Sequence, residues 1–131
     1  MKPRSLLLTS IYDFSADLVA LRLKKAAVPF VRLAKENLPK TFISMDPTGP
    51  YMRINLGGEK FDIDSSLRSI WFRQPVFLRN TPSESLSLDE QLSRSQWMAF
   101  LRAFSIFDKV KWMNWPQSTY LAECKPYQLL I

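Results

Sequence analysis

Two adjacent glycines, Gly57 and Gly58, stand between two runs in which apolar and polar residues alternate, and this arrangement restricts the fold more tightly than any other stretch of the chain. Residues 51–56 (Tyr-Met-Arg-Ile-Asn-Leu) and 59–63 (Glu-Lys-Phe-Asp-Ile) both repeat with the period of a strand. A glycine pair supplies the positive φ of a tight turn, so the two runs fold back on each other as an antiparallel hairpin. Pairing across the turn sets Ile54 against Phe61 and Met52 against Ile63 on one face, and Arg53 against Asp62 on the other. A slip of one residue would mix the faces, which fixes the register. The hairpin reads as a structural flap, or as an edge that receives a partner strand.

The residues before it follow a different plan. Residues 5–10 (Ser-Leu-Leu-Leu-Thr-Ser) read as a buried strand, and residues 12–17 turn the chain into a helix capped by Asp13 or Ser15. Asp17 suits the positive first turn of that helix. Ala16, Val19, Ala20, Leu23 and Ala27 recur at helical spacing, and Pro29 ends the run. Phe30 to Leu33 forms a second strand, so the opening is β-α-β with parallel strands. No glycine lies between residues 5 and 28, which excludes both the dinucleotide fingerprint and the Walker A loop.

Residues 69–75 (Ser-Ile-Trp-Phe-Arg-Gln-Pro) contain a short apolar run of strand formers that Pro75 halts. Arg73 therefore belongs near the carboxyl end of an interior strand, the edge at which open α/β sheets gather ligands and neighbouring domains. As a residue type it is equally a strand-end salt-bridge partner, with Trp71 in the core. Residues 81–87 are a polar connector, and Ser87 with Glu90 makes a capping box that opens a helix to about residue 107. Trp97, Phe100, Leu101, Phe104 and Phe107 form an aromatic stripe along it, which is core or in part a dimer interface. Residues 109–113 form a last short strand. Ser118 caps a short helix through Cys124, and Pro126 opens another that stops on Leu129, Leu130 and Ile131. An apolar end so close to a helix start is expected to pack on something further along a longer chain.

The 131 residues fit one domain, and a hydrophobic share of 47% is enough to fill its core. A single cysteine and no histidine exclude an internal disulfide and a Cys/His metal set, and point to a reducing cytoplasm. The Leu6-Leu7-Leu8 run is too short for a signal peptide, and no later run spans a bilayer, so no membrane partner is expected. A net charge of +6 draws on basic residues at 22, 24, 25, 32, 35 and 40, which make a solvated helix face or attract nucleotide, phosphate or acidic peptide. Nucleic-acid binding would need a recognition helix or an aromatic sheet pattern as well, and neither is present in the sequence. No nucleophile and base can be paired into a self-contained catalytic set, so no catalytic residue is assigned.

The succession of Thr9-Ser10, Asp13, Ala16-Asp17, Arg32-Leu33, Ser69 to Pro75, Trp97, Trp112 to Pro116 and Ala122 to Leu129 resembles the amino-terminal region of ATP-grasp ribosomal peptide maturases. These ligases install ω-ester and ω-amide crosslinks in microviridin-type peptides, the graspetides. Two departures stand out: Arg32-Leu33 runs into Ala34-Lys35-Glu36 instead of an Asn-Thr-Asp type turn, and Gln74 replaces a second arginine. The resemblance implies an α/β, Rossmann-like pre-ATP-grasp domain with a largely parallel sheet and a β-hairpin over residues 1–117. Residues 118–131 would begin the linker into an ATP-grasp module that this chain lacks.

It further implies that ATP and Mg serve the full-length parent, with none expected for this fragment, which would be inactive alone. The parent uses ATP to make an acyl phosphate of a precursor-peptide carboxylate, which a hydroxyl or amine of the same peptide attacks. Lys125 aligns with the lysine that reaches nucleotide phosphate, Arg73 is the candidate for a domain-interface or substrate-carboxylate contact, and Asn114 holds the turn before the tail. The precursor peptide is the implied partner, with a homodimer as a second. The alternative is a stand-alone module that keeps the fold for peptide or partner capture.

Overall fold

A computed structural model describes residues 1–73 and 87–113. The elements in order are β1 (Ser5–Thr9), α1 (Phe14–Lys25), β2 (Phe30–Ala34), a 3₁₀ segment (Lys35–Lys40), β3 (Thr41–Asp46), β4 (Tyr51–Leu56), β5 (Glu59–Ile63), β6 (Ser69–Phe72), α2 (Leu88–Leu101), a second 3₁₀ segment (Arg102–Ile106) and β7 (Lys111–Met113). They form two sheets: a parallel one in the order β2-β1-β6-β7 and an antiparallel one in the order β3-β4-β5. The α/β class with a parallel sheet and a hairpin is what the sequence indicated.

The parallel sheet is registered so that Leu6, Val31, Ile70 and Trp112 lie side by side, as do Leu8, Leu33 and Phe72. That face joins Met52, Ile54, Phe61 and Ile63 from the second sheet in one apolar cluster, completed by Leu101, Phe104 and Phe107. Most of these side chains have lost nearly all contact with water, each worth roughly 1.5–3 kcal/mol of burial. The hairpin has the register read from the sequence, with Ile54 opposite Phe61 and Arg53 opposite Asp62, and both turn glycines take positive φ (58° and 84°). On its outer face Asp62 accepts bonds from Arg53 Nε and the Tyr51 hydroxyl, both at 2.7 Å.

Three features differ from the sequence reading. Residues 41–46, to which the sequence reading assigned no element, form a third strand pairing with β4 from Thr41 opposite Leu56 to Asp46 opposite Tyr51. The second helix leaves α geometry after Leu101. Leu101, Phe104 and Phe107 are three residues apart, and a 3₁₀ turn of three residues brings all of them into the core. With Trp97 and Phe100 packed against that core, the aromatic stripe belongs to the interior. The first helix buries only Ala16, and Phe14, Leu18 and Leu21 face solvent; Ala27, expected on the buried stripe, is exposed.

Residues 114–131 and 74–86 lie outside the described residues, and with them Asn114, Cys124, Lys125, Pro75 and the boundary at 117. The end of α1 is fully described. Val28 N–H donates to Leu23 O and Ala27 N–H to Lys24 O, a Schellman closure that puts Ala27 at φ 55°. A side chain in that left-handed position is strained, and glycine is the residue that relieves it. Replacing Ala27 by Gly is expected to stabilise the fold by roughly 0.5–1 kcal/mol, raising the midpoint of thermal unfolding by a few degrees in a calorimetric comparison with the parent chain.

Candidate functional site

In the parallel sheet β1 is central, and the chain leaves it toward β2 on one side and, later, β6 on the other. Strand order reverses there, and ligands of open α/β sheets settle outside such a point, at the carboxyl ends of the strands. Here those ends bring together Thr9 and Ser10 after β1, Glu36 after β2 and Arg73 after β6. Register also puts Leu7, Arg32 and Trp71 on the sheet face opposite the apolar cluster. Arg73 continues that face, and its backbone N–H still donates to Leu8 O.

Asp13 is the hub. It caps α1 by accepting from Ala16 N–H at 3.3 Å, accepts from the Thr9 hydroxyl at 2.9 Å, and takes Arg73 Nε at 3.3 Å. Its side chain is only 14% exposed, whereas that of Arg73 is 40% exposed and lies 5.7 Å from the Trp71 ring centre. Burial pushes the Asp13 carboxyl up, but the Thr9 hydroxyl, the Ala16 N–H and the Arg73 charge outweigh it and hold the group below the usual range. So Arg73 sits where the sequence put it and is at once a salt-bridge partner and a half-open cation stacked on an indole.

A second carboxylate reaches the same loop from β2's side. Glu36 accepts from the Ser10 hydroxyl at 2.5 Å and from Ile11 N–H at 3.0 Å. Burial raises its carboxyl too, and those two donors win and keep it ionised. Arg32 closes the loop from below: its guanidinium pairs with Asp17 and donates to Ser10 O at 2.8 Å and Asp13 O at 3.4 Å. The two carboxylates and two guanidinium groups interleave around residues 10–13. Held this way, the loop turns Ile11, Tyr12 and Phe14 toward solvent.

The chemistry of this edge follows from where the amide donors point. In nucleotide-binding βα turns the loop N–H groups face a phosphate. In this chain Ile11 N–H goes to Glu36, Tyr12 N–H to the Ser10 hydroxyl, Asp13 N–H to Ser10 O and Ala16 N–H to Asp13. Two built-in carboxylates occupy the place an anion would take. Among the described residues no group of His, Cys, Asp and Glu is arranged to hold a metal ion. The amide donors of this loop are therefore not free to take a nucleotide phosphate.

The sequence pointed to Arg73 but not to its partners. Glu36 and Asp13 lie 23 positions apart, and only parallel pairing of β1 with β2 brings both to one loop. The available signal was polar Thr9 and Ser10 closing an apolar strand, with Asp13 four residues on. Asn114 and Lys125 are not among the described residues. An open cleft of about 560 Å³ lies elsewhere, lined by Tyr51 at the start of β4 and by Asp64, Phe107 and Lys109 on the segments that lead into β6 and β7. No helix among the described residues is long and apolar enough to cross a membrane.

No family model matches the sequence, and no curated protein matches it. Solved structures do. The macrocyclase MdnB from Microcystis aeruginosa MRC superposes with a TM-score of 0.66 at 18% identity, over 98% of this chain and 43% of its own. The macrocyclase MdnC from the same source, bound with its precursor peptide MdnA, gives 0.74 at 17% identity, over 99% and 42%. An ATP-grasp ligase associated with ribosomal peptides from Chryseobacterium gregarium, in complex with ADP and with leader and core peptides, gives 0.69 at 16% identity, over 98% and 40%. The chain has the fold these enzymes carry in part of their length, and it spans about two fifths of each. The resemblance drawn from the sequence thus holds at the level of fold.

Because Asp13 and Glu36 are held below their ordinary values, the folded chain binds fewer protons than the unfolded one in acid. Their contribution is complete above about pH 4–5, where the unfolded carboxyls are also ionised, and disappears as pH falls through the folded values. Urea unfolding followed from pH 7 down to pH 3 is expected to show a falling midpoint. The Asp13→Asn variant keeps the cap but loses the charge pair, so at pH 7 it should be less stable by about 1–2 kcal/mol and lose less on acidification.

Proposed function

We propose that this chain is the amino-terminal, pre-ATP-grasp layer of an ATP-dependent peptide ligase that forms ω-ester or ω-amide crosslinks in a ribosomal precursor peptide in the cytoplasm. Its role is that of scaffold and substrate-side wall, and the chain is inactive by itself. The observation that carries this reading is a fold likeness extending over almost the whole chain to three peptide-modifying enzymes, two of which hold a peptide. The self-filled loop at the sheet edge agrees with it, since the donors that would cradle phosphate are already bonded within the chain.

On this reading nucleotide and magnesium belong to the module that follows, and activation of the peptide carboxylate takes place there. Lys125, at the start of the link, is the one group of this chain assigned to nucleotide phosphate, and Asn114 shapes the turn that leads to it. Arg73 turns a half-exposed guanidinium outward from a rigid seat. Trp71 supports its flank and Asp13 fixes its Nε, which leaves the planar fork pre-oriented for a carboxylate of the peptide or of the neighbouring module.

Two measurements test this. The purified 131-residue chain with ATP and Mg²⁺ should release no ADP above a protein-free control; steady ADP release would overturn the assignment of catalysis to another module. In the parent ligase, Arg73→Ala should raise KM for the precursor peptide about tenfold with kcat for bound peptide little changed, whereas an unaltered KM would remove Arg73 from the substrate side.

A further inference from the structure

The first helix carries apolar side chains on both of its faces. Ala16, Val19, Ala20 and Leu23 share one face and are buried or half-buried, as a helix packed on a sheet requires. The opposite face of such a helix is ordinarily polar, and here it is not. Phe14, Leu18 and Leu21 follow one another at intervals of four and three, so they stand in one row, 71%, 50% and 55% exposed. The loop before the helix adds Ile11 and Tyr12, which also face solvent. Single exposed apolar residues are common, but a contiguous row of this kind marks a contact surface.

The charges beside the row identify what it meets. Lys25 continues it one turn beyond Leu21, and Arg22 and Lys24 lie on its two flanks, all three exposed. Among the described residues none of the three meets a carboxylate. Asp17, the acid on this helix, already pairs with Arg32, and Asp13 and Glu36 are bonded within the chain. The face is therefore apolar and cationic with its acids already engaged, and it suits a partner that is apolar and anionic.

Shape decides between the two partners of that description, an acidic protein and an anionic bilayer. The row stands on the side of α1 away from the sheet, so it is a convex ridge. A ridge sinks into a fluid surface without a fitted cleft, whereas a protein partner has to supply one. The basic side chains beside it can keep their charged ends at head-group level while their stems lie along the acyl chains, and the phenol of Tyr12 suits the same boundary. The loop is already tied down by Glu36, Arg32 and Asp13, so little ordering is left to cost binding. Crossing a bilayer takes a long apolar helix, but lying on one takes a single apolar face.

We infer that α1 and the loop before it form a membrane-docking face, which lies in the plane of an anionic bilayer with its apolar row against the acyl chains and its three cations among the phosphates. This stands independently of the ligase reading. Sedimentation of the purified chain with vesicles tests it. The chain should sediment with phosphatidylcholine vesicles that contain phosphatidylglycerol and bind phosphatidylcholine alone at least about tenfold more weakly, and binding should fall as salt is raised. Leu18→Glu puts a carboxylate in the row and should abolish binding. Met45→Glu makes the same change of charge at an exposed position on β3, in the other sheet, and should leave binding nearly unchanged. Both positions are exposed, so the circular dichroism of each variant should match that of the parent.

A chain that sediments with neither vesicle overturns the inference, as does one that binds both equally. So does a Leu18→Glu variant that loses no more binding than Met45→Glu, which would leave only the overall charge of the chain as the cause. Leu18→Trp keeps the matter decidable if the glutamate variant fails to fold: its emission, taken as the difference from the parent's, should move to shorter wavelength on anionic vesicles, and an unshifted spectrum overturns insertion. A chain that ignores vesicles yet binds an acidic amphipathic peptide overturns it too, and gives the face to a protein.

Discussion

Everything in this molecule depends on two sheets closing on each other through one apolar face each. The parallel sheet offers Leu6, Leu8, Val31, Leu33, Ile70 and Phe72, and the antiparallel sheet Met52, Ile54, Phe61 and Ile63, in a single buried cluster. Neither sheet is stable with that face in water, and together they give the chain its core. The second helix and its 3₁₀ extension close the cluster with Leu101, Phe104 and Phe107. The reverse face of the parallel sheet and the outer face of the hairpin are thereby released for polar and surface roles.

The polar edge is built on that arrangement. Parallel pairing delivers the ends of β1, β2 and β6 to one place, and the loop after β1 is tied from both flanks by Glu36, Arg32 and Asp13. Partly withdrawn from water, these charges are tolerable because each carboxylate meets donors and each guanidinium meets acceptors. The same bonding that makes the loop rigid removes it from phosphate chemistry, since its donors are used within the chain. A Rossmann-like opening has here become a fixed shelf carrying Ile11, Tyr12 and Phe14 beside a stacked arginine. Such a shelf presents three exposed apolar side chains at the sheet edge.

Legibility differed between elements for physical reasons. The hairpin could be read to the residue because Gly57 and Gly58 fix the turn and strict alternation forbids a slip. The strand through Trp71 and the place of Arg73 followed from an apolar run of strand formers. The stripe along α1 was legible except at its end: Ala16 is buried and Val19, Ala20 and Leu23 are partly buried, whereas Ala27 falls in the exposed turn that closes the helix. Strand β3 gave no clear signal, since Thr41, Ile43 and Met45 alternate with an exposed Phe42 that hides the period.

What the sequence determined by itself was local: which runs are strands, which turn is tight, and which residues cap a helix. These depend on neighbours a few positions apart, and side-chain type and spacing are enough to decide them. Only tertiary structure decided that Asp13 meets Arg73, that Glu36 reaches back to Ser10 and Ile11, and which edge of the second sheet the amino terminus covers. Those contacts join residues tens of positions apart, and nothing in the linear order fixes which carboxylate meets which donor until the sheets have paired.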